Sequence, residues 1–244
     1  MKTFGLIGEK LDHSFSAKYF SEKFLEEKII DSQYINFELK EISEFKKLIE
    51  KNDLSGLNVT IPYKKKIISF LDELSVEAKL IGAVNTIRFS NGKLTGYNTD
   101  YIGFTNSIKP ILDGRNKALI LGNGGAAKAI RYSLEKLQIK HNTISRNSKF
   151  DYSDISSNFL NKYDIIINTT SLGSYPNIDS FPKIPYEKLS KKHLLYDLTY
   201  NPDQTRFLEY GKNRNTKIKN GLEMLKIQAD ESWKIWNLKF SKYY

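Results

Sequence analysis

The stretch Ala118-Leu119-Ile120-Leu121 runs straight into Gly122-Asn123-Gly124-Gly125-Ala126-Ala127, and an amphipathic run follows to Leu137. An apolar strand, a glycine turn and a helix in direct succession constrain the chain to a βα unit of a parallel sheet. The pattern is G-x-G-x-x-A, the fingerprint of a dinucleotide-binding turn. Gly122 allows the tight turn, Gly124 lets backbone approach a pyrophosphate, and Ala127 lets the helix pack closely. The N–H groups at Gly125 and Ala126 open the helix and suit phosphate oxygens. Plain turn glycines are the alternative reading of the same residues.

The same alternation extends in both directions. Upstream, Thr3 to Ile7, Tyr34 to Leu39, Leu57 to Ile61 and Ala83 to Phe89 read as strands, with helical stretches around Ala17 to Lys28, Glu44 to Lys51 and Lys65 to Leu80. Ser90-Asn91-Gly92-Lys93 reads as a hairpin turn, because Asn-Gly supplies two positive-φ positions. Downstream, strands are expected at His141 to Ser145, Asp164 to Asn168 and His193 to Leu198, and a last helix at Leu222 to Trp236. The expectation is an α/β fold of two domains. The place of the last helix after the second unit leaves open a return to the first.

In a dinucleotide fold the residue closing the second strand selects the cofactor, an acid binding the ribose hydroxyls of NAD. Here Ser145 is followed by Arg146. A guanidinium suits a 2′-phosphate and stacks on adenine, which favours NADP. An ordinary surface arginine is the other reading of that position. Zero cysteines among 244 residues exclude disulfides and thiolate metal sites, and His13, His141 and His193 are too scattered for a zinc cluster. No metal is expected. A reducing cytoplasm fits, and no apolar run near the N-terminus reaches the length of a membrane span. The net charge of +10 comes from lysines spread along the chain rather than clustered, so neither nucleic acid nor membrane is expected as a partner.

In Leu57-Asn58-Val59-Thr60-Ile61 the strand period places Asn58 and Thr60 on one face of an otherwise apolar segment, and Lys64 follows Pro62 just beyond. A solvated face with a surface lysine would account for this segment alone. The segment does not stand alone. Gly56 to Lys64 is followed by Gly82-Ala83-Val84-Asn85-Thr86 and by Gly96-Tyr97-Asn98-Thr99-Asp100-Tyr101-Ile102-Gly103-Phe104. This set resembles the shikimate dehydrogenase family. His13-Ser14-Phe15-Ser16, Asn168-Thr169-Thr170-Ser171-Leu172-Gly173, Asp197-Leu198-Thr199-Tyr200-Asn201-Pro202 and Gly221 to Gln228 match further motifs of that family in the same order.

The resemblance implies an oxidoreductase that reversibly reduces 3-dehydroshikimate to shikimate with NADPH, in aromatic amino acid biosynthesis. It implies an N-terminal α/β substrate domain over 1–103 and 222–244, a Rossmann-like NADP-binding domain over 104–221, and a C-terminal helix that returns to the first domain. It implies Lys64 and Asp100 as the catalytic pair, since a ketone taking up hydride builds negative charge on oxygen that a cation or acid must neutralise. Ser14, Ser16 and Tyr200 are implied for the substrate carboxylate, and Asn58, Thr60, Asn85 and Gln228 for its hydroxyls. Thr169, Leu198, Gly221 and Met224 are implied at the cofactor beside the glycine turn, Ser145 and Arg146. A quinate/shikimate dehydrogenase with relaxed cofactor use is the alternative within the family. A monomer or homodimer is expected under either reading. Four positions depart from its pattern: Ala17 for a common Pro, Ser145 for Asn, Asn147 for Thr and Ser174 for Met. The second and third bear on how strictly NADP is preferred, the fourth on nicotinamide packing.

Overall fold

In the computed structural model, which describes residues 1–12, 14–145, 155 and 157–238, strands and helices alternate along the chain around two separate sheets. The chain divides into two compact units, Met1–Thr99 joined by the chain from Gln228 onward, and Asp100–Ile227.

The first unit holds a mixed sheet of six strands, β1 (Lys2–Gly8), β2 (Ser32–Glu38), β3 (Leu54–Val59), β4 (Glu73–Leu74), β5 (Thr86–Ser90) and β6 (Lys93–Tyr97), in the order β2-β1-β3-β5-β6-β4. Parallel pairing of β1 with β2 and β3 gives way to antiparallel pairing from β3 to β5 to β6. The β5–β6 turn carries Asn91 and Gly92 at φ 52° and 72°, the two left-handed positions expected of Asn-Gly. Helices α1 (Phe15–Glu26), α2 (Phe45–Lys51) and α3 (Val76–Ile81) complete the unit's N-terminal part.

Alternation along the strands sorts side chains into two cores. Ile7, Leu57, Val59 and Ile87 pack with Phe45, Tyr63, Ile67 and Val84 on one side of the sheet. Phe4, Leu6 and Tyr34 pack on the other with Phe20 and Phe24 of α1 and with Ala229 and Trp236 of the C-terminal helix. The Trp236 indole stacks on Phe4 with centroids 4.8 Å apart and donates its N–H to the Ile87 carbonyl at 3.0 Å. It lies flat against Gly56, where a Cβ would come within 2.4 Å of the indole. That contact explains a glycine inside a buried strand.

One expectation fails in this unit. Lys65 to Leu80 is not a continuous helix: a 3₁₀ turn covers Lys66–Phe70, β4 follows, and α3 begins only after Ser75. Adjacent apolar residues at Ile67, Ile68, Phe70 and Leu71 do not leave a single helical face. Asp72 takes the Leu94 amide at 2.7 Å, and the Ser75 hydroxyl caps α3 at the Ala78 amide, 3.1 Å away. Both side chains thus compete with helix continuation. β3 also starts earlier than expected and ends at Val59, while β5 starts later, at Thr86.

The second unit is a five-stranded, wholly parallel sheet of β7 (Lys117–Leu121), β8 (Lys140–Ile144), β9 (Ile165–Asn168), β10 (Leu194–Asp197) and β11 (Lys217–Lys219), ordered β11-β10-β9-β7-β8. Helices lie on both faces. Ala118, Ile120, Ile165, Ile167, Leu194 and Tyr196 face α4 (Asp100–Ile108) and α5 (Gly125–Lys136), through Phe104, Ile108, Ile130 and Leu134. Leu119, Leu121, Ile166 and Leu195 face α6 (Ser157–Leu160) and α7 (Arg206–Lys212), through Leu160, Phe207 and Leu208. Central strands covered on both sides read as unbroken apolar runs, as Ile165-Ile166-Ile167 does. α7 and β11 are too short, at 7 and 3 residues, to leave a period in the sequence.

The last helix, α8 (Leu222–Trp236), begins in the second unit, where Met224 joins the core, and continues from Gln228 in the first. Its return to the first unit is the one expected. Replacing Trp236 by Ala removes a stacked, hydrogen-bonded indole and leaves a cavity against Gly56. A loss of about 3–5 kcal/mol in unfolding free energy is expected by urea titration, and a loss under about 1 kcal/mol would show that α8 is held elsewhere.

Candidate active site

Numbered within its own sheet, the second unit has the strand order 2-1-3-4-5, so its topological switch point lies between β7 and β9, where ligands of doubly wound sheets bind. The register sets Leu121 beside Asn168 and Asn168 beside Asp197, which aligns the C-terminal ends of β7, β9 and β10 along one edge. Gly122 turns off β7 at φ 110°, and a Cβ there would lie 2.7 Å from Thr169 Oγ1. Gly122 is thus required twice, by conformation and by the close approach of the β9 loop.

Gly124 differs. It is the N-terminal flank of α5 at φ −79°, and a Cβ on it would meet open space. Among the described residues no contact demands glycine there. The first turn of α5 has no side-chain cap and no acid, so its N–H groups and partial positive charge face the same opening. This combination fits a bound phosphate group. Arg131, one and a half turns further on, donates from Nη1 to Asn123 Oδ1 at 2.9 Å and steadies the turn. Ala127 is fully buried in the core between α5 and the sheet. Ser145 follows β8 directly, and Arg146, like His13, lies outside the described residues.

The loops beyond β9 and β10 are tied to each other. Thr169 is folded back by bonds from its amide and hydroxyl to the Leu121 carbonyl, at 2.9 and 2.8 Å. The Leu198 amide donates to the Asn168 carbonyl at 3.0 Å. Gly221 sits against Leu198, whose carbonyl oxygen would be 2.1 Å from a Cβ. Tyr200, half-buried, ends this segment. Beneath them Asp197 is fully buried and accepts from Asn168 Nδ2, the Thr199 amide and the Thr205 hydroxyl at 3.0, 3.0 and 2.6 Å. Burial pushes its carboxyl up to about 6, against the lowering effect of those donors.

In the first unit, buried polar side chains gather on the face of the sheet that α8 covers. Asn58 Nδ2 donates to the Asn85 carbonyl, Thr86 Oγ1 and Ser232 Oγ at 3.1, 3.2 and 2.9 Å, and its Oδ1 accepts from the Tyr34 hydroxyl at 2.8 Å. Asn85 donates to Thr99 Oγ1 and Gln228 Oε1 at 2.9 and 3.2 Å and accepts from the Thr99 amide at 2.7 Å. These residues are nearly sealed from solvent, and mutual bonding offsets the cost. Burial raises the Tyr34 phenol far above its ordinary value, opposed by a hydrogen bond with Ser16. Ser14 caps α1 by accepting the Ser16 amide at 3.3 Å.

Lys64 is half-buried, and the backbone on either side of it is fixed. Its carbonyl accepts the Val84 amide at 2.8 Å, and Tyr63 is anchored in the core with its hydroxyl on the Leu39 carbonyl at 2.6 Å. The Thr60 amide donates to the Ile7 carbonyl at 2.9 Å. Asp100, buried, is the first residue of α4 and follows Thr99 of the polar cluster in the chain. The structure therefore gathers Ser16, Asn58, Asn85 and Gln228 in one unit around Tyr34, Thr86, Thr99 and Ser232. Gly122, Gly124, Thr169 and Leu198 meet at one sheet edge in the other. The four supporting residues of the first unit were not singled out in the sequence. Their one signal there was the need of buried Asn58 for partners.

Among the described residues no group of three or more His, Asp or Glu is placed to hold a metal, and no helix is long and apolar enough to cross a membrane. The raised Asp197 carboxyl has a consequence for stability. The fold favours its protonated form, so its contribution is full below about pH 4 and is lost as the pH rises through about 6. The unfolding free energy of the wild type minus that of Asp197→Asn should fall by up to about 3 kcal/mol from pH 4 to 7.5. A flat difference would show that Asp197 ionises without penalty.

Residues 6–87 match the model of the shikimate dehydrogenase substrate binding domain. The NADP-dependent shikimate dehydrogenase of Clostridium beijerinckii is 42% identical over 97% of this chain and 92% of its own length. Among solved structures, shikimate dehydrogenase 1 of Peptoclostridium difficile superposes with a TM-score of 0.88 at 38% identity, covering 99% of this chain and 94% of that one. The Thermus thermophilus shikimate 5-dehydrogenase, solved with NADP(H) and shikimate, superposes at 0.86 with 26% identity over 97% and 93%. With motif order, both sheets and nearly full-length likeness in agreement, this chain belongs to the shikimate dehydrogenase family.

Proposed function

We propose that the chain reversibly reduces 3-dehydroshikimate to shikimate with NADPH, a step in the synthesis of aromatic amino acids. The observation that carries this reading is the uncapped start of α5 with open space above Gly124, in a chain whose relatives are named as NADP-dependent shikimate dehydrogenases. Bound there, the reduced nicotinamide cofactor supplies the hydride. Gly122, Gly124, Gly125, Ala126 and Ala127 would hold its diphosphate through backbone N–H groups and the end of the helix. Ser145 and Arg146 would take the adenosine 2′-phosphate. Thr169, Leu198, Gly221 and Met224 would lie at the nicotinamide end. Replacing Gly124 by Ala should leave thermal stability nearly unchanged yet raise the KM for NADPH roughly tenfold or more, since the added methyl fills only ligand space. Gly122→Ala should instead lower stability by about 1–2 kcal/mol through its positive φ alone. Equal effects of the two changes on melting would contradict the distinction.

For the substrate, Ser14, Ser16 and Tyr200 would bind the carboxylate, and Asn58, Thr60, Asn85 and Gln228 the ring hydroxyls. A site built of such donors and acceptors rejects analogues lacking a hydroxyl, because its own polar groups would be left unpaired. As the ketone oxygen gains charge, Lys64 would give it a proton, directly or through a relay water, and Asp100 would complete the catalytic pair and hold the neighbouring hydroxyl. A cytoplasmic location accompanies this reading, in keeping with a chain that has no cysteine.

Steady-state kinetics test the assignment. Lys64→Ala and Asp100→Asn should each lower kcat about a hundredfold or more while the KM for NADPH changes little. The double variant should lose far less than the product of the single losses, because either change already interrupts the proton path. Near-normal turnover in Lys64→Ala would return that lysine to a positioning or surface role.

A further inference from the structure

The site assignments leave Asp197 without a role, although it is the most completely enclosed carboxylate of the second unit. Its three donors come from three different segments. Asn168 closes β9, Thr199 belongs to the loop after β10, and Thr205 is the N-cap of α7, its hydroxyl also accepting from the Leu208 amide at 3.4 Å. Each donor carries a further part of the sheet edge. Asn168 Nδ2 reaches the Leu172 carbonyl at 3.2 Å, and its Oδ1 accepts from the Thr170 hydroxyl and amide at 2.6 and 3.1 Å, which fixes the whole 168–172 turn. Thr199 bonds Ser174 through their hydroxyls at 2.9 Å, and its carbonyl accepts the Gly221 amide at 3.1 Å. Gly173, at φ 89°, packs against Thr205.

A fully buried carboxylate is costly, and among the described residues no cation is bonded to it. Apolar residues of the same size would fill the space more cheaply. What a carboxylate provides and an apolar group cannot is acceptance from three N–H and O–H donors at once. We infer that Asp197 is a positioning residue for the cofactor, setting the loops after β9 and β10 so that Thr169 and Leu198 present the correct edge to the nicotinamide end. Asp197 itself does not touch the cofactor. The inference rests on the cofactor reading given above.

Asn at position 197 keeps the shape but places an N–H donor where Oδ2 accepts the Thr205 hydroxyl, so that bond persists only with the hydroxyl reversed, and all three bonds lose the strength that the carboxylate charge gives them. The expected result for Asp197→Asn is a KM for NADPH raised about tenfold and a KM for shikimate within twofold of wild type, with a melting temperature that is not lowered at pH 7.5. Thr205→Val, which removes one donor from the other side, should raise the NADPH KM in the same way, and Thr205→Ser, which keeps the hydroxyl, should restore it. An unchanged NADPH KM in Asp197→Asn overturns the inference, as does an equal rise in both KM values. Should Asp197→Asn fail to fold, the Thr205 pair decides, and Val and Ser behaving alike overturns the inference. Wild-type turnover with NADPH and 3-dehydroshikimate is measured alongside. Its absence would instead remove the cofactor reading on which the inference stands.

Discussion

A side-chain amide buried in the middle of a sheet must find its hydrogen-bond partners within the protein, and much of the first unit is arranged around that demand at Asn58. Leu57 and Val59 turn into one core, so the strand period sends Asn58 to the other face, where solvent is excluded. Its partners come from β2, from the segment leading into β5, and from a helix more than 160 residues later in the chain. Ser232 therefore cannot be separated from the sheet without leaving polar groups unpaired, at a cost of about 1–3 kcal/mol each. Trp236 adds apolar packing to the same attachment. In this way a polar requirement in β3 fixes α8, and α8 presents Gln228 to Asn85.

The second unit solves a different problem by the same means. Three parallel strands end at one edge, and side-chain bonds as well as backbone bonds hold their loops to one another. Gly122 permits the first loop to touch the second, and Asp197 joins the second to the third. Both features are internal to the sheet edge. The feature that points outward is the start of α5, where neither cap nor acid competes for the helix N–H groups. A rigid edge beside an open helix end is an arrangement suited to holding an anionic group in a defined pose.

The sequence made some of this legible and not the rest, for physical reasons. Long periodic elements were readable: α5 and α8 end within a residue of where periodicity puts them, and Asn91-Gly92 marks its hairpin because few other pairs accept two left-handed positions. The stretch from Lys65 to Leu80 departs from its expected helix because its apolar residues are helical in number but not in spacing, while Asp72 and Ser75 bond locally instead. Gly122 and Gly124 look alike in the sequence. Only their surroundings separate a glycine required by φ and contact from one that leaves space open. Tyr34, Thr86, Thr99 and Ser232 could not be picked out in advance, since a threonine or serine that completes a buried network looks like one that faces water. Asp197 stood inside a recognised motif, but its three donors come together only when β9, β10 and α7 are folded.

The central claim is that this chain moves hydride between a shikimate ring carbon and a nicotinamide. The most direct measurement is the absorbance of reduced nicotinamide after the purified protein is mixed with shikimate and NADP together. The account predicts a rise that requires all three components, is slower with NAD in place of NADP, and reverses when 3-dehydroshikimate is added. No rise with folded protein, or a rise that persists without shikimate, would contradict it.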